Sequence, residues 1–407
     1  MTSRETNLLL QSEKLRSFLL QNEIDIKEYD PAVLSHRYLR VRKHIKINQD
    51  KDKKESQPDI LNLHLLKTEL NESPIIVIQA HFHFLKLPKT LKLNLTTAYQ
   101  SNQIIGMDIS SAISVLALDT QSTDRVLDLC CAPGMKLLMI AELLEEGNIT
   151  GVDISKSRLS TCRALVKKYQ VANKVKLYYG DGTIFRVLAG VNSRWLTKEQ
   201  KEWYSLNSDD LGKPFYAPKE MRGFNLLFED ENEMDKNKME LLYDKVLVDA
   251  ECTHDGSIVH VEKYQQEKEG FTLEQLEDKL SVELSHKKSE LQLQLLVNGY
   301  KLLKKGGTIV YSTCSFTRQQ NEYVIAKFLN LIKFELLMEP PIINSIQRFV
   351  PKSIPYLKGK NIDEEFIAKN NINLESTIIN RYLSNAIRFL PSVSNTSGLF
   401  IISFKKV

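Results

Sequence analysis

Val126-Leu127-Asp128-Leu129-Cys130-Cys131-Ala132-Pro133-Gly134-Met135-Lys136 decides the fold of this chain. Val126 to Leu129 is an apolar run, bounded by Asp124-Arg125 before it and a tight Pro-Gly turn after it. Residues 135–146 then carry helical spacing and good helix formers. The pattern predicts a buried strand, a turn and a helix. Such a corner sets backbone N–H groups and the positive helix end at the carboxyl edge of a parallel sheet, where open α/β sheets bind nucleotide-like ligands. Taken alone, it fits an ordinary βα corner equally well.

Outward from this corner, strands and helices alternate. Asn148 to Val152 reads as a second strand ending at Asp153, and residues 155–169 as a basic helix with Leu159, Cys162, Leu165 and Val166 inward. Val175 to Tyr179 is a third strand, before Gly180-Asp181-Gly182, and Lys245 to Val248 a fourth, ending at Asp249. A helix over 288–304, a fifth strand from Thr308 to Tyr311, a helix over 320–332 and a last strand from Leu399 to Phe404 complete the pattern. A helix starting near a serine cap at Ser110-Ser111 leads into it. Residues 187–240, polar and containing Trp195 and Trp203, interrupt the rhythm, as do the Ile-, Asn- and Pro-rich residues 339–391. Both read as inserted loops or lids.

Residues 1–105 read as a small α+β domain. Leu8, Leu15, Phe18 and Leu19 form one stripe of an amphipathic helix within 1–22, and strands are expected at 59–66 and 75–87. Tyr38 to Lys46 reads as a strand with one charged face that includes Arg40, Arg42 and Lys43. That face fits phosphate contacts and also a solvated edge strand. His81 and His83 alternate with phenylalanines, and no third metal ligand accompanies them.

The 407 residues suffice for a large core and two domains. No apolar run approaches the ~18 residues of a membrane span. The N-terminus lacks a secretory pattern, and Glu5 and Glu13 disfavour a mitochondrial transit peptide. A net charge of +4 permits a local nucleic-acid patch without requiring one. The five cysteines, Cys130, Cys131, Cys162, Cys252 and Cys314, are odd in number and lack zinc spacing. A reduced, intracellular protein without a metal is expected, in cytoplasm or nucleus, with the mitochondrion left open.

Asp153, Asp181 and Asp249 each end a predicted strand, so a parallel sheet gathers them near the Pro-Gly turn. A carboxylate after the second strand suits a ribose diol, and one after the third can accept from an adenine amino group. Acids after strands also serve as helix caps; three in register with the turn favour an adenosine ligand. Cys252 and Cys314 also follow strand ends and project toward the same crevice. A cysteine so placed is a candidate nucleophile. His254 is near Cys252, as a local base or as an exposed side chain.

Together these motifs resemble the Sun-domain (Nop/Sun) S-adenosylmethionine-dependent RNA cytosine-5 methyltransferases. The family's DLCAAPGGK is similar to residues 128–136, and its YSTCS stands unchanged at 311–315. Asn321-Glu322, residues 291–307, Gly398-Leu399-Phe400 and Ser110-Ser111 resemble further motifs, in the family's order. The resemblance covers about 105–340 plus the final strand. It implies a Rossmann-like methyltransferase sheet with helices on both faces over 106–407, behind an RNA-contacting N-terminal α+β domain.

The implied roles follow by position. Cys314 would attack C6 of a flipped-out cytosine, Cys252 would assist release of the adduct, and Asp249 would hold the cytosine edge. Cys130, Cys131, Ala132, Pro133, Gly134, Met135, Lys136, Asp153, Arg158, Asp181 and Asp249 would contact S-adenosylmethionine. The implied partner is RNA, with tRNA ahead of rRNA, and the protein is expected to be a monomer with no membrane contact. Two departures stand out: Met135 replaces the turn's second glycine, and the family's D-A-P-C-S-G is here Asp249-Ala250-Glu251-Cys252-Thr253-His254-Asp255-Gly256. They motivate a second reading, an RNA-binding relative with weak or lost turnover. A third class, a small-molecule or protein methyltransferase, is disfavoured by the two cysteines.

Overall fold

The computed structural model describes residues 12–30, 33, 36–48, 58–79, 82–189, 198, 214–221, 226–228, 239–258, 261, 272–332, 342–343 and 346–406. Among the described residues the first element is a helix, Glu13–Gln21, capped by the Ser12 side chain and burying Leu15, Phe18 and Leu19; Leu8 lies outside them. The N-terminal strands are β1 (His36–Val41), β2 (Lys46–Asn48), β3 (Ile60–Asn62), β4 (Ile75–Gln79), β5 (Phe82–Pro88) and β6 (Ile104–Gly106). Four of them make an antiparallel sheet in the order β4-β5-β1-β6, while β2 pairs with β3. The strand expected over 59–66 stops at Asn62, whose side chain caps the helix Leu63–Leu70. The strand expected over 75–87 is instead two antiparallel strands.

Both faces of the four-stranded sheet are buried. Tyr38, Phe82 and Phe84 join the core of the C-terminal sheet, while Leu39, Val41, Leu85 and Leu87 pack in a core of their own. Arg40 shares the first face and is 0% exposed; it pairs with Glu142 and lies over the Phe82 ring. Arg42 Nε donates to Glu142 at 2.7 Å and its Nη2 to the Tyr169 carbonyl at 2.7 Å. The expected charged surface is therefore corrected: Arg40 and Arg42 hold the two sheets together, and Lys43 alone of the three is exposed.

The C-terminal sheet contains β7 (Arg125–Asp128), β8 (Asn148–Asp153), β9 (Val175–Tyr179), β10 (Tyr243–Asp249), β11 (Leu303–Thr313), β12 (Ile342–Ile343), β13 (Leu357–Lys358), β14 (Ile387–Phe389) and β15 (Leu399–Lys405). Its order among the described residues is β13-β14-β15-β11-β10-β7-β8-β9, with β12 also on β15. Strands β11, β10, β7, β8 and β9 are mutually parallel, and β15 runs antiparallel to both β11 and β14. The chain leaves β7 toward β8 and β9, then returns to β10 on β7's other side. That reversal opens a crevice at the carboxyl ends of β7 and β10.

The helix after β7, Met135–Leu143, is apolar almost all round and buried. The expected stretch to Glu146 ends early because the amides of Glu145, Glu146 and Gly147 all donate to the Ser122 carbonyl. Asp108, not a serine, caps the helix Ile109–Leu116. Gly134 has φ 109°, and a Cβ there would sit 3.2 Å from the Cys162 sulfur. Only glycine fits both demands, so the helix Lys156–Lys168 can press against the turn.

Of the expected insertion at 339–391, the described part from 346 on is not a loop. It carries the helices Glu364–Lys369 and Ser376–Leu383 and strands β13 and β14. Tyr382 and Leu383 belong to the sheet's core. In the 187–240 stretch, Tyr216 bridges to Leu177 and Leu227 to Val187; Trp195 and Trp203 lie outside the described residues.

Candidate active site

The residues expected at the sheet edge converge. Asp153, at the end of β8, accepts from the Ala132 amide at 3.1 Å and the Ser155 amide at 2.8 Å. Arg158 donates to the Ala132 carbonyl and sits 3.9 Å from Asp153. Asp181, after β9, accepts from the amide and hydroxyl of Thr183, each at 2.8 Å. These three side chains, with Cys130, Ala132, Pro133 and Lys136 of the turn, line a cavity of about 590 Å³. Asp249, Glu251, His254 and Cys314 line it too. Ile154, 65% exposed, adds an apolar wall beside Asp153. Two acceptor carboxylates and an exposed aliphatic face make an arrangement suited to a nucleoside.

Cys131 lines only a smaller cavity on the other side of the turn. It packs in the core, where a Cβ added to Gly151 would lie 2.8 Å from its sulfur. Only Cys130, of the turn's two cysteines, lines the larger cavity. Met135 packs against the same core and borders a smaller cavity of about 240 Å³. Its side chain is thus absent from the wall of the larger one. Glu251 is answered by Lys288, with 2.6 Å between Nζ and Oε1.

At the crevice floor, Lys136 Nζ lies 2.6 Å from Asp249 Oδ2, and Ser312 donates to Asp249 Oδ1 at 2.7 Å. Burial opposes the Lys136 ammonium, but Asp249 outweighs it and holds the group above its ordinary value. Burial also pushes the Asp128 carboxyl up to about 8, with Asp249 adding to the effect.

The two thiols beyond the strand ends are 3.1 Å apart, sulfur to sulfur. His254 Nδ1 is 3.0 Å from Cys314 Sγ and 3.8 Å from Cys252 Sγ. The hydrogen bond from Cys314, and then His254, holds Cys252 well below the usual thiol range. That same bond to Cys252 holds Cys314 up, and Cys252 raises His254. These three donors suit a soft cation in type, but a closed tetrahedral site needs four. Among the described residues no fourth joins them.

Buried polar side chains fix the loops that carry the thiols. Gln320 accepts from the Thr253 amide at 3.1 Å and donates to Thr253, Ser285, Ser315 and Thr317. Asn321 accepts from Thr313 at 2.6 Å and donates to the Ser315 carbonyl at 2.8 Å. Sequence reasoning missed Ser312 and Gln320 and left His254 undecided. Ser312 had a signal: it is the last residue but one of β11, and its carboxylate partner Asp249 lies directly across the β10–β11 register. Gln320 had none, because the partners that give it its role, Thr253 and Ser285, come from distant segments.

A family model described as 16S rRNA methyltransferase RsmB/F matches residues 115–194 and 220–405. The chain is 29% identical over 231 residues to the 5-cytosine rRNA methyltransferase NSUN4 of Bos taurus, covering 56% of this chain and 44% of that protein. It is 26% identical over 313 residues to the probable ribosomal RNA small subunit methyltransferase B of Bacillus subtilis, covering 76% and 49%. Each match spans less than half of the relative. The solved structure of NSun6 from Pyrococcus horikoshii with SFG aligns with TM-score 0.55 at 16% identity, over 97% of this chain and 98% of that one. A methyltransferase homolog protein from the same organism aligns with TM-score 0.56 at 19% identity, over 100% of both chains. These likenesses are of fold.

Proposed function

Because this chain belongs to the 16S rRNA methyltransferase RsmB/F family, we propose that it methylates C5 of a cytosine in RNA through a covalent adduct on Cys314. The observation that carries the reading is that Cys314, which lines the cavity together with the Lys136–Asp249 pair, has its sulfur 3.1 Å from that of the buried Cys252. One thiol can add to a ring while the other exchanges a proton with it.

The two-carboxylate arrangement fits S-adenosylmethionine. Asp153 would hold its ribose hydroxyls, Asp181 its adenine amino group, and Ile154 the purine face. Arg158 would orient Asp153 and the turn. When bound, this cofactor supplies an electrophilic methyl group. The chain's own groups do the rest. Asp249 would accept from the cytosine amino group, and the Lys136 ammonium would offset negative charge as Cys314 adds to C6. Cys252 would remove the C5 proton and release the adduct. A base entering the crevice would first leave its stack, at a cost of a few kcal/mol that a single-stranded loop lowers.

The relatives act, by name, on rRNA, which favours rRNA over the tRNA expected from sequence. The N-terminal unit, residues 1–105, is proposed to add RNA contacts, through exposed Lys43 and Lys46 rather than Arg40 and Arg42. The binding-only reading loses its motive, since Met135 packs away from the larger cavity and Lys288 answers Glu251.

The test is to incubate the full chain with labelled S-adenosylmethionine and separate rRNA and tRNA pools. Label should enter C5 of cytosine. Cys314→Ala should lose transfer by at least ~10³-fold, and Cys252→Ala should accumulate a denaturation-resistant RNA–protein adduct. RNA binding without transfer to any pool would restore the binding-only reading, and an active Cys314→Ala protein would remove that nucleophile.

A further inference from the structure

We propose that His254 is a further catalytic residue: its imidazolium forms one ionised group with Cys252 and Cys314 and keeps a sulfur of the pair as thiolate at neutral pH. The inference rests on the methyl-transfer reading above and concerns how the thiols become reactive.

The geometry is specific. The His254 ring reaches both sulfurs, at 3.0 and 3.8 Å, and its own amide donates to Cys252 Sγ at 3.4 Å. The two sulfurs and the ring nitrogen lie within 4.8 Å of one another, and His254 lines the cavity. Its backbone is held at φ 58°, a left-handed conformation that costs energy and persists because its surroundings offset that cost. The surroundings do so on either side. Gln320 fixes the Thr253 amide; Asp255 accepts from Thr253 and, at 2.6 Å, from the Phe316 amide; and the Gly256 amide donates to the Cys314 carbonyl at 2.8 Å. A loop that only needed to turn here would carry glycine more cheaply.

The electrostatics agree with that arrangement. The groups acting on the ring are Cys252 and Asp255 from its own loop, Cys314 from the end of β11, and Lys279 from the helix Leu273–Lys279. Cys252 and Asp255 favour the imidazolium, whereas Lys279 and burial oppose it, and the balance is upward. A cation beside a thiol is a recognised way to lower its pKa below the ordinary ~8.5.

Protons and electrons balance over one turnover. At rest Cys252 is thiolate and accepts the Cys314 proton. As the S–C6 bond forms, that proton passes to Cys252 and the C5=C6 pair moves to C5. This pair would take the methyl group that S-adenosylmethionine supplies, forming the C5–CH3 bond and leaving the neutral thioether. Cys252, beside the imidazolium, then gives its proton to water. The renewed thiolate takes the C5 proton; the C5–H pair restores C5=C6, and the C6–S bond breaks with its pair staying on Cys314. Cys252 returns a proton to Cys314. One proton leaves per methyl transferred, and the imidazolium is unchanged.

The test reads thiol ionisation with neither RNA nor cofactor present. Alkylation of the full chain by iodoacetamide is followed against pH, with Cys252 and Cys314 resolved by peptide mass spectrometry. His254→Gly, which suits the φ 58° backbone, should move the alkylation limb upward by about one pH unit or more. That is about tenfold slower alkylation at neutral pH. Added imidazole should restore part of the rate. His254→Gln, a hydrogen-bonding but uncharged replacement, should behave like His254→Gly. An unshifted limb in both variants overturns the proposal whether or not RNA is methylated. A shifted limb in a protein that methylates no RNA supports the thiol group and sinks only the reading it rests on.

Discussion

Asp128 lies beneath the Pro-Gly turn at 1% exposure, with Asp249 as a neighbour and a single amide, that of Cys130, donating at 3.3 Å. Burial raises its carboxyl to about 8, against ~3.9 in an unfolded chain. The folded state therefore keeps a proton that the unfolded state releases, and stability falls as pH rises from about 4 toward about 8. Asp128→Asn should remove that fall, by up to ~1.4 kcal/mol per pH unit. Urea unfolding at a series of pH values checks it, and parallel slopes for the two proteins would contradict it. Cys130 and Cys131 make a related point. The sequence treats them as equals, but the turn of the backbone sends one to the cavity and the other into the core.

Strand β14 shows what an element owes to a distant partner. Ile387-Arg388-Phe389 is too short and too charged at its centre to read as a buried strand. Its burial rests on Glu322, which accepts from Arg388 Nε at 2.6 Å and from Nη2, while Nη1 donates to the Phe316 carbonyl at 3.0 Å. Removing one member of such a pair strands the other charge, at a cost of ~3–5 kcal/mol. Arg388→Met should lower the urea midpoint accordingly, and adding Glu322→Leu should recover part of the loss. Equal stability of Arg388→Met and wild type would mean the pair does not hold β14. Glu322 follows Asn321, which clamps the Cys314 loop, so the sheet edge and the thiol loop share a foundation.

For the molecule as a whole, the N-terminal sheet is docked by charge as much as by apolar packing. Arg40 and Arg42 share Glu142 across a surface that also buries Tyr38, Phe82 and Phe84. Glu142→Ala should cost ~3–5 kcal/mol and release amide protection in β1 and β5 before the C-terminal sheet, measured by hydrogen exchange. Loss of protection in both sheets together would contradict separable docking. The alternation of apolar strands, the Pro-Gly turn and the strand-end acids and cysteines were legible because each is a local pattern, repeated with the period of its own element. They determined the parallel α/β sheet and the gathering of Asp153, Asp181, Asp249, Cys252 and Cys314 at one edge. What the sequence by itself left open concerned contacts between segments far apart in the chain. Arg40 reads as surface until Glu142, about a hundred residues later, folds onto it, and His254 reads as a bystander until β11 brings Cys314 to 3.0 Å. Charge and reactivity depend on what surrounds a side chain, and tertiary packing alone supplies those surroundings.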